Sequence, residues 1–385
     1  MVPSGWEVKK LEDLCAPDAP ITYGVLKPGE YCSNGIPLLQ IKDLSDGQVS
    51  SKDLHLISKE LDEEYKRSRI LKNDILISLV GTIGRVAKFE LSIPANIHRN
   101  LGRVRTDYHE FIFHFLNSDV ALKLMGDSSS GSSQSALNLS TLRAMKVPFP
   151  PVKEQQKISK ILSTWDQAIS ATEKLLENSQ KQKNALMQQL LTGKKRLLDE
   201  SGVRFSEEWQ RIELGLLLDY QQPTPYLVES TAYSDSYKTP VLTAGKTFIL
   251  GYTNESSGIY QDQLPVIIFD DFTTDSKYVN FPFKAKSSAM KILTAKKGVS
   301  IKFVFEAMQM LQFNVGGHQR HWISIFSNLV IPLPNLKEQQ KIAEILSLAD
   351  QEIETLQKKL NCLKQEKKAL MQQLLIGKKR VKVAA

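Results

Sequence analysis

Three stretches in the second half of the chain carry residue types that could do chemistry. TAGKT at 243–247 ends like a phosphate-binding loop, and PVIIFDD at 265–271 resembles the apolar strand with an acidic end that holds magnesium in nucleotide hydrolases. Such a loop needs a glycine five residues before its second one, and that position is Pro240. Only 24 residues separate Lys246 from Asp270, and the glycines and turn formers between them do not read as a helix. ATP hydrolysis is therefore a poor reading. Asp270, Asp271 and Asp275 could form a metal-dependent nuclease cluster, but no ExK-type partner follows. The plain alternative is a strand end and an Asp-rich turn, whose carboxylates could still accept from cytosine amino groups. In GGHQRHW, His318 and His321 flank Gln319 and Arg320; two histidines three apart without a third ligand make a poor zinc site, and the set suits base or phosphate contacts better. No Ser-His-Asp or Cys-His set stands out, and the NPP[YF] string expected of an adenine methyltransferase is absent. The expectation is a chain with no catalytic residues and no bound metal.

Cations are better represented. The formal net charge is +8, compatible with a polyanionic partner such as nucleic acid. HRNLGRVR supplies Arg99, Arg103 and Arg105, and Arg85 follows GTIG. The second half supplies Lys246, Lys277, Lys284, Lys286 and Lys291. With His318, Gln319, Arg320 and His321, all but Lys291 form the expected DNA-contact set, since phosphates need cations and base edges need Arg, Lys, Asn or Gln. Apolar residues make up 42% and charged residues 24% of the chain, the balance of a globular protein. No apolar run approaches the roughly 20 residues of a spanning helix, and the start has no signal-peptide core, so no membrane association and a cytoplasmic location are expected. Cys15, Cys32 and Cys362 lack CxxC spacing, which fits a reducing compartment and argues against zinc.

The elements that must position these residues are announced by a repeat. ALMQQLLTGKKR at 185–196 returns as ALMQQLLIGKKR at 369–380, and sliding the chain by 184 residues matches 28 of 49 positions between 148–196 and 332–380. Each copy opens on a proline pair, reads KEQQKI, and runs without proline or glycine to a glycine followed by KKR, a helix stop that complements the dipole. Ile342, Leu346, Ala349, Ile353, Leu356, Leu360, Leu363, Leu370 and Leu374 form a heptad seam, broken where Lys367 takes a turn. The first copy follows with Ile158, Leu162, Trp165, Ile169, Leu176, Leu186 and Leu190, and Thr172, Ser179 and Lys183 weaken its centre. A helix over 153–191 would be about 58 Å long. Such helices could pair with each other, antiparallel if the intervening domain returns the chain, or with another protein. IPLLQI, DILISLVG, GRVAKFE, TPVLTAG, LPVIIFDD and KYVNFPF read as strands, and EFIFHFLNSDVALKLM and GVSIKFVFEAMQMLQF as helical. GWEVKKLEDL at 5–14 is echoed by EEWQRIELGLLL at 207–218, whereas the bodies between share almost nothing that aligns. A duplicated frame with diverged contents suggests that the two contents read different things.

The PxPxxKEQQKI start of a long helix, occurring centrally and at the C-terminus, the GW and EEW openings, and NDILISLVGTIGRVA resemble the specificity subunit of type I restriction-modification systems. The block from PVLTAGKT to AMKIL is similar to one recurrent target-recognition domain of that family. The resemblance implies two α/β (α+β) target-recognition domains, at 1–150 and 199–334, separated by two long antiparallel coiled-coil helices, at 151–198 and 335–385, with pseudo-two-fold symmetry. It also implies a bipartite double-stranded DNA site as target, two modification subunits as partners, and restriction subunits that translocate DNA. S-adenosylmethionine, ATP and magnesium would be bound by those partners and not by this chain. Gln155, Ile158, Leu162, Leu186, Leu190, Gln339, Ile342, Leu346, Leu370 and Leu374 are the expected spacer and partner-binding positions. A coiled-coil adaptor without DNA specificity is the competing reading.

Overall fold

The computed structural model describes residues 2–127, 136–243, 247–311 and 321–383. The chain divides into two compact units, Met1–Glu173 with Lys359–Ala385, and Lys174–Lys358. Each unit holds one globular body, one half of the first long helix and the opposite half of the second. The division falls within the helices, because each half-helix buries its apolar face against a body.

In unit 1 the chain forms β1 (Glu7–Lys10), β2 (Thr22–Tyr23), β3 (Ile36–Leu39), β4 (Leu44–Ser45), β5 (Gln48–Val49), β6 (His55–Ile57), α1 (Lys59–Glu64), β7 (Ile75–Ser78), β8 (Val86–Lys88), β9 (Asn96–Ile97), β10 (Leu101–Val104), α2 (His109–Leu116), α3 (Asp119–Asp127), α4 (Leu139–Ala144), β11 (Lys146–Phe149) and the start of α5 (Val152–Leu190). Among the described residues the strands order as β2-β10-β7-β8-β5-β4 and β6-β3-β9, with β1-β11 as a separate ladder. Ile75, Leu76 and Ile77 are apolar without alternation because β7 is a central strand with both faces covered. Ile75 and Ile77 enter the core shared with the helices, and Leu76 enters a second core with Leu39, Phe89 and Ile97. The helical stretch at 110–125 resolves into two helices, because the Ser118 hydroxyl accepts from Ala121 N and restarts the chain.

In unit 2 follow β12 (Gln210–Glu213), α6 (Leu214–Leu217), β13 (Leu218–Gln221), β14 (Thr239–Leu242), β15 (Ile249–Thr253), β16 (Val266–Asp270), β17 (Ser276–Val279), β18 (Lys284–Ala285), β19 (Met290–Ala295), α7 (Ile301–Gln309), α8 (His321–Ser324), β20 (Val330–Leu333) and α9 (Leu336–Leu374). The sheets order as β13-β19-β16-β17, β15-β14-β18 and β12-β20. This reproduces β2-β10-β7-β8, β6-β3-β9 and β1-β11, down to the antiparallel and parallel neighbours of β3 and β14. Two bodies without alignable sequence share one topology.

Within each unit the helix halves run antiparallel. Lys367 pairs with Asp166 and Lys364 with Glu173 in unit 1; Lys183 pairs with Asp350 and Ser179 with Glu352 in unit 2. Thr172 and Ser179, which weaken the seam on paper, are buried in it. Lys183 and Lys367, which interrupt it, supply the ion pairs that fix register.

Candidate nucleic-acid interface

At one end of unit 1's sheets three loops or strand ends meet on residues 98–100. His98 N donates to Leu39 O (2.9 Å), Arg99 N to Val25 O (2.9 Å), and Asn100 O accepts from Leu79 N (2.8 Å). The β7–β8 hairpin tip joins them when Arg85 Nη1 donates to Ile41 O (3.3 Å) and Leu44 O (3.1 Å). Lys27, Lys42, Arg85 and Arg99 are all exposed here. His98 lies below its ordinary pKa because burial, then Arg99, then His55 disfavour its charged form. The result is a basic, rigidly tied loop cluster offering guanidinium, ammonium and neutral imidazole groups.

Unit 2 builds the same junction from other residues. Lys286 N donates to Leu242 O (2.8 Å) as His98 does to Leu39, and Asp271 N to Ala289 O (3.2 Å) as Leu79 does to Asn100. Lys286 is exposed at this junction, and Lys277 is exposed just past the β16–β17 hairpin tip. Lys246, His318, Gln319 and Arg320 lie outside the described residues, and His321 opens α8.

Three of the expected contact residues are committed within the fold, Arg103 and Lys284 by burial and Arg105 by an ion pair that leaves it partly exposed. Arg103 is 3% exposed and donates to Arg67 O, Arg69 O and Pro20 O. Arg105 grips the buried Asp74 through Nε (2.8 Å) and Nη2 (2.7 Å). Both lie toward the far end of β10, away from the turn at 98–101 that holds Arg99. Lys284 is 2% exposed, paired with Glu255 (2.7 Å) and donating to Ser257 O (2.8 Å). Asn96 takes its place in unit 1, donating to Asp62 Oδ1 (2.9 Å) and accepting from Ser68 Oγ (2.7 Å). These are the polar pins of the two folds, so substitution there reports on folding and not on binding. Lys291 is likewise buried, against Asp271 (3.4 Å), which also accepts from Trp322 N (2.9 Å). Asp270 accepts from Phe272 N and Thr273 Oγ1. Burial takes these two carboxylates out of reach of cytosine amino groups.

The helix positions pack inward. Ile158, Leu162, Leu370 and Leu374 pack into the core of unit 1, and Leu186, Leu190, Ile342 and Leu346 into that of unit 2. Gln155 Nε2 donates to Pro150 O (2.7 Å) and Gln339 Nε2 to Pro334 O (2.8 Å), each buried at a helix start. They hold this chain together. Sequence reasoning missed a clasp that the repeat contains twice. In unit 2, Arg196 holds Glu338 through Nε (2.7 Å) and Nη2 (2.8 Å), while Trp209 Nε1 donates to the same carboxylate (3.1 Å). In unit 1, Arg380 holds Glu154 (2.6 and 2.9 Å) and Trp6 Nε1 donates to it (3.0 Å). The signal was present: Glu of KEQQKI and Arg of GKKR are identical in both copies, and each tryptophan heads a body. Gly193 (φ +71) and Gly377 (φ +74) end the helices where the tryptophan rings approach.

The family model for the type I restriction modification DNA specificity domain matches residues 3–179 and 206–365. The chain belongs to that family. The chain is 54% identical over 132 residues to the EcoR124I/EcoR124II specificity subunit of Escherichia coli, a stretch covering 33% of this chain and 32% of that one. It is 26% identical over 420 residues to the putative MjaX specificity subunit of Methanocaldococcus jannaschii, covering 99% and 95%. The crystal structure of a type I restriction-modification S subunit from M. genitalium shares the fold, with a TM-score of 0.66 at 16% identity and coverage of 97% and 96%. Each matched segment of the family model contains one of the two loop clusters. No helix among the described residues is long and apolar enough to cross a membrane.

Proposed function

We propose that this chain is the non-catalytic DNA-specificity subunit of a type I restriction-modification complex. The loop cluster of each unit reads one half of a bipartite double-stranded DNA site, and the long helices set the spacing. The observation that carries this reading is one loop junction built twice on one topology with different side chains, His98-Arg99-Asn100 against Lys286-Ser287-Ser288-Ala289. A shared frame with unlike reading groups suits two unlike half-sites.

The helices present two equal surfaces to two modification subunits. Support comes from repeated residues that neither unit needs for its core. Ala185, Gln188, Gln189, Lys194 and Lys195 are exposed, and so are their counterparts Ala369, Gln372, Gln373, Lys378 and Lys379. The modification subunits would bind S-adenosylmethionine, and restriction subunits would bring ATP and magnesium.

Methylation mapping of a host that co-expresses this chain with its cognate modification subunit tests the reading. A gapped motif modified in both halves, absent with the modification subunit alone, is expected. No new methylation from soluble, associated proteins would overturn it in favour of an adaptor. Inserting one helical turn between Leu176 and Lys183 should change the gap and leave both half-sites unchanged.

A further inference from the structure

We infer, resting on the DNA-specificity reading above, that Arg99 selects a guanine in the half-site of unit 1 by donating two hydrogen bonds to O6 and N7 in the major groove. Residues 98–100 are the hub of the loop cluster: their main chain is bonded to Val25, Leu39 and Leu79, which belong to three different loops or strand ends. A reader at this hub is held in place by its backbone while its side chain stays free. Arg99 is exposed, and among the described residues its guanidinium has no hydrogen-bond or ion-pair partner. Its planar fork is therefore available for a bidentate contact, which a lysine cannot make in the same way.

The other cations of the cluster are built differently. Arg85 has Nη1 committed to two carbonyls of the neighbouring loop, which leaves it suited to holding a phosphate oxygen at a fixed place. Lys27 and Lys42 are exposed point charges on the surrounding loops, the Lys42 ammonium donating to Asp53 O (3.4 Å). Next to Arg99, His98 Nδ1 accepts from Asn100 N (3.4 Å), and the ring is held neutral by burial, then by Arg99 and His55. Arg99 is thus the free fork at the centre, with point charges around it. In unit 2 the corresponding segment is Lys286-Ser287-Ser288-Ala289, with no arginine. The guanine requirement belongs to one half-site.

The test uses the assembled methyltransferase and duplexes that differ at single base pairs of its mapped motif. Wild type should discriminate a G·C pair in one half-site, and Arg99→Ala should reduce that discrimination roughly 10- to 100-fold at that pair alone. Arg99→Lys should keep part of it, and Arg85→Ala should slow all sequences alike. Full discrimination retained by both Arg99 variants would overturn the inference, and so would an equal slowing on every sequence, which would make Arg99 a phosphate contact. In either case the wild-type motif would leave the specificity reading standing. A wild type with no motif would overturn that reading and this inference with it.

Discussion

The two units receive nearly the same helix and finish its buried lysine differently. In unit 2, Lys183 meets Asp350 (2.5 Å) and Glu306 (3.2 Å), and Lys302 of α7 adds bonds to the same two carboxylates (2.9 and 2.6 Å). In unit 1, Lys367 meets Asp166, and α2 offers His114 where α7 offers Glu306. The His114 Nε2 shares a hydrogen bond with Ser163 Oγ (3.2 Å), and Nδ1 is 3.8 Å from Asp166. A carboxylate at this site can be buried only with cations around it, whereas an imidazole can be buried neutral. Burial drives the His114 pKa down to about 3, with Lys367 and Lys88 adding to it; Asp166 does not offset this, since Lys367 already engages its charge. Duplicated helices thus accept diverged bodies by changing one facing residue and its charge.

The largest expected effect comes from cutting the clasp that the units share. Glu338→Ala leaves Arg196 and Trp209 unpartnered at a fully buried position and should cost about 3 to 5 kcal/mol. Glu154→Ala should cost less, because Arg380 is about half exposed and water can take over. Urea melts of both variants check the order, and equal losses would mean that exposure of the arginine is irrelevant.

Acid should separate the units next. His114 stays neutral in the folded chain while the unfolded chain takes up its proton below about pH 6.5, so the stability of unit 1 is complete above that value and falls as pH drops toward 3. The slope is about 1.4 kcal/mol per pH unit at most. In unit 2 burial opposes ionisation of Asp350, but Lys183 and Lys302 outweigh it and hold the carboxyl below 3.8. Its contribution is present above that value and lost only as pH falls through the depressed one. Hydrogen exchange at pH 7 and pH 5 should show α2 amides losing protection before those of α7, and His114→Gln should remove the difference.

The smallest effect is expected for the lysines themselves. Lys183→Met leaves Glu306 with Lys302 alone and should cost about 2 kcal/mol, whereas Lys367→Met frees a half-exposed Asp166 to water and should cost under about 1 kcal/mol. Thermal melts of the two variants would sharpen the contrast or erase it.

The sequence by itself determined the elements and the repeat. Seam spacing, the proline and glycine stops and the apolar strand runs are local patterns, and β3, β7, β8, β14, β16 and β17 all form where their runs lie. It also determined that one frame is used twice, since 28 identities in 49 positions survive in residues that build the clasps and the helix register. Only the tertiary structure decided which cations face outward. Arg99 lies in the turn before β10 and Arg103 and Arg105 two residues apart at its end, and a charge run carries no information about the carbonyls of Pro20 and Arg67 or the carboxylate of Asp74 that wait there. The common topology of the two bodies was equally hidden, because backbone hydrogen bonds at Leu39 and Leu242 ask nothing of the side chains that diverged.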